Sequence, residues 1–209
     1  MTNVQLTLKR LLDLIVVIVF GPLILIIALL TALLIRLTDG PPAIFRQERA
    51  GHHGKPFTLY KFRTMRQDVD PFGPSPKTGH DNRLTTTGRF LRATSLDELP
   101  QFYNVLKGNM SLVGPRPLYM EQAREWNERQ QKRLRVKPGL TGLAQISGRG
   151  SLTVEDKLEL DVQYVERQTL ARDLRILLAT VVKVLRPKDI YEKRYSKNHQ
   201  TRPKTPDKP

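Results

Sequence analysis

The polar and apolar positions of this chain are unevenly shared out. From Leu14 to Ile35 there are 22 residues without a charge, with Asp13 before them and Arg36 after. In a helix they reach roughly 33 Å, enough for the hydrocarbon core of a bilayer. A secretory leader has a shorter apolar stretch that ends at a small-residue cleavage site, and a small domain cannot cover such a segment on all sides. The run therefore predicts a membrane-inserted helix. Gly21-Pro22 falls near its middle, where proline removes a helical hydrogen bond and crowds the preceding turn. A kinked span and a re-entrant helix that returns to the entry face both fit, and Lys9, Arg10 and Arg36 at the two ends do not separate them.

Beyond residue 40 the periodicities shorten. Residues 43–45 and the alternating 57–63 predict two short strands around a Gly51-His52-His53-Gly54 turn. Residues 66–82, with three prolines and two glycines, predict an exposed loop. Helices are predicted over 87–96, over 97–106 (Leu99, Phe102, Val105 and Leu106 on one face, Gly108 as the stop), as a polar helix over 118–135, over 153–167 and, amphipathic, over 172–185. A Pro-rich turn at 114–117 and the Lys137-Pro138-Gly139 and Ser147-Gly148-Arg149-Gly150 segments punctuate them. The fold class is thus α+β and mostly helical. It divides into a membrane segment (1–40), a polar domain (41–186) and a flexible basic tail (187–209). From Lys183 onward the chain carries nine Lys/Arg, three Asp/Glu and four prolines, suited to anionic headgroups or simply to solvent.

The 209 residues suit one compact domain with attachments. With no cysteine there is no disulfide framework, zinc-thiolate site or cysteine nucleophile. Lys and Arg number 35 against 20 Asp and Glu, a net charge of +15. That excess points to nucleic acid, anionic lipid or a phosphorylated substrate.

Chemistry concentrates at Ser95-Leu96-Asp97-Glu98-Leu99-Pro100. Ser95 with Glu98 matches a capping box, although Pro100 would then break the helix it caps; with Asp97 as the cap, Pro100 falls harmlessly in the first turn. Either register puts adjacent carboxylates at a helix N-terminus, where an aspartate stays ionised and phosphate binds. Such a carboxylate can attack phosphorus while its neighbour holds a divalent cation. Arg83, Arg89 and Arg92 precede the pair, Arg116 follows between two prolines, Lys61 and Arg63 lie on a predicted strand, and Arg149 stands between glycines. Singly these are surface cations; on short stiff turns around one carboxylate pair they suit a polyphosphate. Glu159 and Asp161, with Tyr164 on the same helix face, suit surface salt bridges or a metal or sugar contact. His52 and His53 lack metal-ligand spacing and are loop residues.

Taken together, Lys9-Arg10-Leu11-Leu12-Asp13, residues 60–65, Arg92, residues 95–101, residues 104–117, residues 137–142, Ala144-Gln145, Gly148-Arg149 and residues 160–165 resemble one family in order and over nearly the whole chain. It is the bacterial sugar transferases, specifically the monotopic polyprenyl-phosphate phosphoglycosyl transferases, in their minimal form without extra N-terminal membrane helices. The resemblance implies transfer of a sugar 1-phosphate from a UDP-sugar to undecaprenyl phosphate, with release of UMP and a requirement for Mg²⁺. It implies Asp97 as the nucleophile of an aspartyl-phosphosugar intermediate and Glu98 as the residue that positions the metal. Substrate and phosphate contacts are expected from Lys61, Arg63, Arg92, Arg116, Gln145, Arg149 and Asp161. A re-entrant helix broken at Gly21-Pro22 is also implied, with glycine where the family often has serine. The same resemblance places a catalytic domain with amphipathic interfacial helices on the cytoplasmic face of the bacterial plasma membrane, supplying later glycosyltransferases of glycan assembly. Two other classes compete. A silent scaffold of a glycan-assembly complex is disfavoured by the intact Asp97-Glu98 pair. A membrane-anchored nucleic-acid binder is disfavoured because no recognition helix, zinc finger or RNA-binding signature is present.

Overall fold

The computed structural model describes residues 1–70, 76–185 and 191. Its first element, α1 (Asn3–Thr38), opens on a reciprocal cap: Thr2 Oγ1 accepts from the Gln5 N–H and Gln5 Oε1 from the Thr2 N–H. Its 36 residues span about 54 Å. It is the one helix among the described residues long and apolar enough to cross a membrane. Pro22 lies inside it and ends nothing, so the interruption expected at Gly21-Pro22 does not divide the helix in two.

Both ends of α1 are held by the same polar domain. Near the start, Lys9 Nζ donates to Val113 O (2.9 Å) and to Asp173 (2.7 Å), and Asp13 accepts from the Leu112 N–H. Arg10 donates to the last carbonyls of a later helix, Val105 O and Leu106 O. Near the end, Ile35 is buried with Ala43, Phe62 and Leu91, and the Thr38 and Thr87 hydroxyls bond at 2.7 Å. Between these moorings Ile18, Val19, Phe20, Leu23, Leu25 and Ile26 are all more than half exposed. In water such a row would be costly; in hydrocarbon it is not.

The predicted strands pair as an antiparallel hairpin, β1 (Ile44–Ala50) with β2 (Pro56–Phe62), in the register Ile44↔Phe62 to Ala50↔Pro56. His52 and His53 sit in the tight turn between them, exposed or half-exposed. Next come α2 (Thr86–Thr94), a single 3-10 turn (Leu96–Glu98) and α3 (Gln101–Lys107), stopped by Gly108 in the left-handed region as expected. β3 (Ser111–Val113) pairs in parallel with β4 (Gly139–Thr141) across a long crossover. The chain then forms α6 (Leu143–Ser147), α7 (Val154–Glu166, capped by Thr153) and α8 (Leu170–Leu185). Val17 of α1, Phe57 and Leu59 of β2, Val105, Met110, Leu112, Tyr164 and Ile176 share one core, so the membrane helix contributes to the interior of the domain.

Two expectations are corrected. The polar helix over 118–135 is really α4 (Met120–Arg124), α5 (Glu128–Gln131) and a 3-10 turn (Lys132–Arg135). Trp126 turns inward between the pieces, and Asn127 with Gln130 caps the helix anew. Likewise no helix runs continuously over 97–106: Ser95 takes a left-handed conformation and ends α2 without a side-chain cap, so neither capping register forms. Residues 71–75 of the expected loop and the basic tail, apart from Tyr191, lie outside the described residues.

Candidate active site

The Asp97-Glu98 pair occupies the 3-10 turn between α2 and α3, and four elements bring cations to it. Glu98 Oε1 accepts from Lys61 Nζ of β2 (3.2 Å) and from an Arg116 nitrogen (2.7 Å) of the turn after β3. Its other carboxylate oxygen takes no hydrogen bond from the described residues. Arg92, on the last turn of α2, donates to Thr64 Oγ1 and faces Asp97. Arg149 follows α6 with φ 48° and donates to Ser95 Oγ at 3.2 Å; its Nη1 is enclosed without a partner among the described residues. Backbone packing sets these positions. Gly88 rides on the backbone just beyond β2 so closely that a Cβ there would lie 2.0 Å from Thr64 O.

Electrostatics separate the two carboxylates. Asp97 is 9 % exposed, and burial, reinforced by the neighbouring Glu98 charge, pushes its carboxyl up to about 6 against the pull of Lys61, Arg92 and Arg116. Burial would also raise Glu98, but Arg116 and Lys61 more than reverse this and hold it well below the usual carboxylate range. Lys61, Arg92 and Arg149 are each lowered by burial. The result is one basic, lightly held carboxylate beside one firmly ionised carboxylate inside a ring of cations. That combination suits nucleophilic attack on a bound phosphoryl group. Among the described residues no cluster of three or more His, Cys, Asp or Glu could enclose a metal by itself.

Of the expected contacts, Lys61, Arg92, Arg116 and Arg149 converge on Asp97 and Glu98. Three do not. Arg63 points to the end of α1, donating to Asp39 O and Gly40 O at 2.6 Å each, where a cation complements the negative helix end. Asp161 is sealed behind the site, paired with Arg133. Gln145, on α6, has both amide atoms enclosed and bonds to none of the site residues described. Gly21 and Pro22 lie far off in the exposed stretch of α1. Glu159 forms the surface salt bridge read from its spacing, with Arg129, whereas Tyr164 is buried and donates to Asp173.

The sequence reading missed Arg133, Lys9 and the stack of Arg49 on Tyr119 (3.6 Å). The sequence places Lys9 as a flanking charge and in the Lys9–Asp13 block without giving it a partner; a basic residue one helical turn from Asp13 is the signal for a buried network.

Comparison with known proteins identifies the family. The model of the family described as "Bacterial sugar transferase" matches residues 4–187. The chain is 51% identical over 178 residues to the uncharacterized sugar transferase EpsL of Bacillus subtilis, covering 85% of this chain and 87% of that protein. It is 42% identical to the UDP-glucose:undecaprenyl-phosphate glucose-1-phosphate transferase of Caulobacter vibrioides, over 88% and 72% of the two chains. To the undecaprenyl-phosphate galactose phosphotransferase of Salmonella typhimurium it is 44% identical, over 73% of this chain but 35% of that longer one. With its family match running from the first helix to the last, the chain belongs to the bacterial sugar transferases.

Proposed function

We propose that the protein is a phosphoglycosyl transferase that moves a sugar 1-phosphate from a UDP-sugar to undecaprenyl phosphate and releases UMP. The observation that carries this reading is the basic Asp97 carboxylate beside Glu98, ringed by Lys61, Arg92, Arg116 and Arg149. Names borne by the Salmonella and Caulobacter relatives describe the same type of transfer.

In the first half-reaction an Asp97 oxygen attacks the phosphorus that bears the sugar. The bond from that phosphorus to the UMP oxygen breaks, and UMP leaves with the electron pair. In the second, an oxygen of the lipid phosphate attacks the same phosphorus and the bond from that phosphorus to the Asp97 oxygen breaks. This regenerates the carboxylate and yields a polyprenyl-diphosphate sugar. The four cations offset the charge of donor phosphates and developing oxyanions. Asp97 must be ionised to attack, and its raised pKa makes it a stronger base while leaving it mostly ionised at neutral pH. The free oxygen of Glu98, beside Asp97, fits Mg²⁺, which commonly takes one or two carboxylates and completes its shell with phosphate oxygens and water. Bound there, the ion would screen phosphate charge.

The moorings of α1 support a re-entrant insertion. One domain holds both ends, and a bend of α1 at Pro22 would let the exposed middle enter the bilayer and bring both ends back to the same face. Exposed Leu174, Leu178, Val181, Val182 and Leu185 of α8 would rest on the interface. The placement is the cytoplasmic face of the bacterial plasma membrane, where the product would pass to later glycosyltransferases.

The test is UMP release by purified protein in detergent with undecaprenyl phosphate, Mg²⁺ and a panel of UDP-sugars. Release with a donor, lost in Asp97→Ala and on chelation, is expected. No release from any donor would overturn the reading and favour a silent scaffold.

A further inference from the structure

Arg116 bears on Glu98, yet it stands on no helix or strand but on the turn that follows β3. What holds that turn is a buried ion pair behind it. A single nitrogen of Arg133, Nη2, donates to Arg116 O at 2.6 Å and to the Asp161 carboxylate. Both residues are nearly sealed, 3 % and 2 % exposed. The guanidinium also lies 4.6 Å from the centre of the Trp126 ring. A buried ion pair contributes little to stability by itself, and replacing it with apolar side chains is often neutral. Its position here suggests another use. Asp161 comes from α7 and Arg133 from the turn before β4, and together they fix the carbonyl of the one site residue whose flanking prolines allow it no backbone donor at position 117.

We infer that Asp161 and Arg133 are positioning residues for catalysis. The order of contacts is Asp161 carboxylate, Arg133 guanidinium, Arg116 carbonyl, Arg116 side chain, Glu98 carboxylate. Neither residue touches the reacting atoms. Asp161, expected from the sequence to meet substrate, instead acts two residues away from it. The inference rests on the proposed transfer reaction and deepens its account of that site.

The experiment compares wild type, Arg133→Met, Asp161→Asn, the double variant and Arg133→Lys in the UMP-release assay, with melting temperatures alongside. Arg133→Met and Asp161→Asn should lower kcat about ten- to a hundredfold, the usual range for groups that orient a reactive residue from behind. The double variant should be no worse than the poorer single. Arg133→Lys should recover most of the rate, since one nitrogen makes both bonds. Wild-type rates in folded Arg133→Met, or losses that multiply in the double variant, would overturn the inference. So would a rate loss that tracks melting temperature and that lysine does not repair. A wild type without turnover on any donor would instead strike at the proposed reaction itself.

Discussion

Asp97 is folded into a place where its charge is disfavoured, and that leaves a thermodynamic mark. Its carboxyl moves from the ordinary 3.8 to about 6 on folding. The folded state therefore binds the proton more tightly, and the stability tied to this group is fully present below pH 4 and lost as pH rises through 6. At neutral pH the ionised aspartate costs on the order of 2–3 kcal/mol. Asp97→Asn should consequently raise the melting temperature at pH 7.5, with a gain that shrinks toward pH 4, while abolishing turnover. A shift of equal size at both pH values would show that the strain is not electrostatic. The pair itself was legible in the sequence because adjacency is local. The direction of Arg63 was not. Residues 61 and 63 share a face while a strand continues, but β2 ends at Phe62, and the next side chain swings to the end of α1. The Asp161–Arg133 pairing spans 28 residues of chain, and no local pattern encodes it.

At the scale of elements, turn chemistry carried the reading well. The Gly51–Gly54 hairpin turn and the Gly108 stop both follow from residue type at fixed offsets, whereas the capping box read at Ser95 does not form. The reading failed where tertiary packing decides. Trp126 breaks a polar run because the core has room for an indole, and Ser95 turns left-handed because Arg149 and the end of α2 meet there. The contact between α2 and the Thr64 backbone is equally non-local. Gly88→Ala would put a methyl 2.0 Å from a backbone oxygen, and backbone cannot step aside as a flexible side chain would. The helix must lift, carrying Arg92 with it. Overpacking of this kind costs about 1–3 kcal/mol, so a lower melting temperature together with a reduced rate of UMP release is expected. Normal values of both would mean that α2 does not rest on Thr64.

For the molecule as a whole, the membrane segment was the clearest sequence feature and its topology the least legible, since length and flanking charge describe a span and a re-entrant helix equally. The moorings favour the re-entrant insertion proposed above, and labelling tests it. In oriented vesicles of this cysteine-free protein, Thr2→Cys and Lys55→Cys should both react with an impermeant maleimide added to one side. Reaction from opposite sides would mean that α1 crosses.

Lys9, Asp13, Val17 and Ile35 have a further consequence. These four residues of α1 are buried against the rest of the chain. A chain cut after residue 40 to give a soluble enzyme would leave Asp173 without its ammonium partner, the Leu112 N–H without its acceptor and two apolar seats open to water. Solubility and an intact fold are therefore competing demands, because the apolar segment suited to lipid is also one wall of the folded domain.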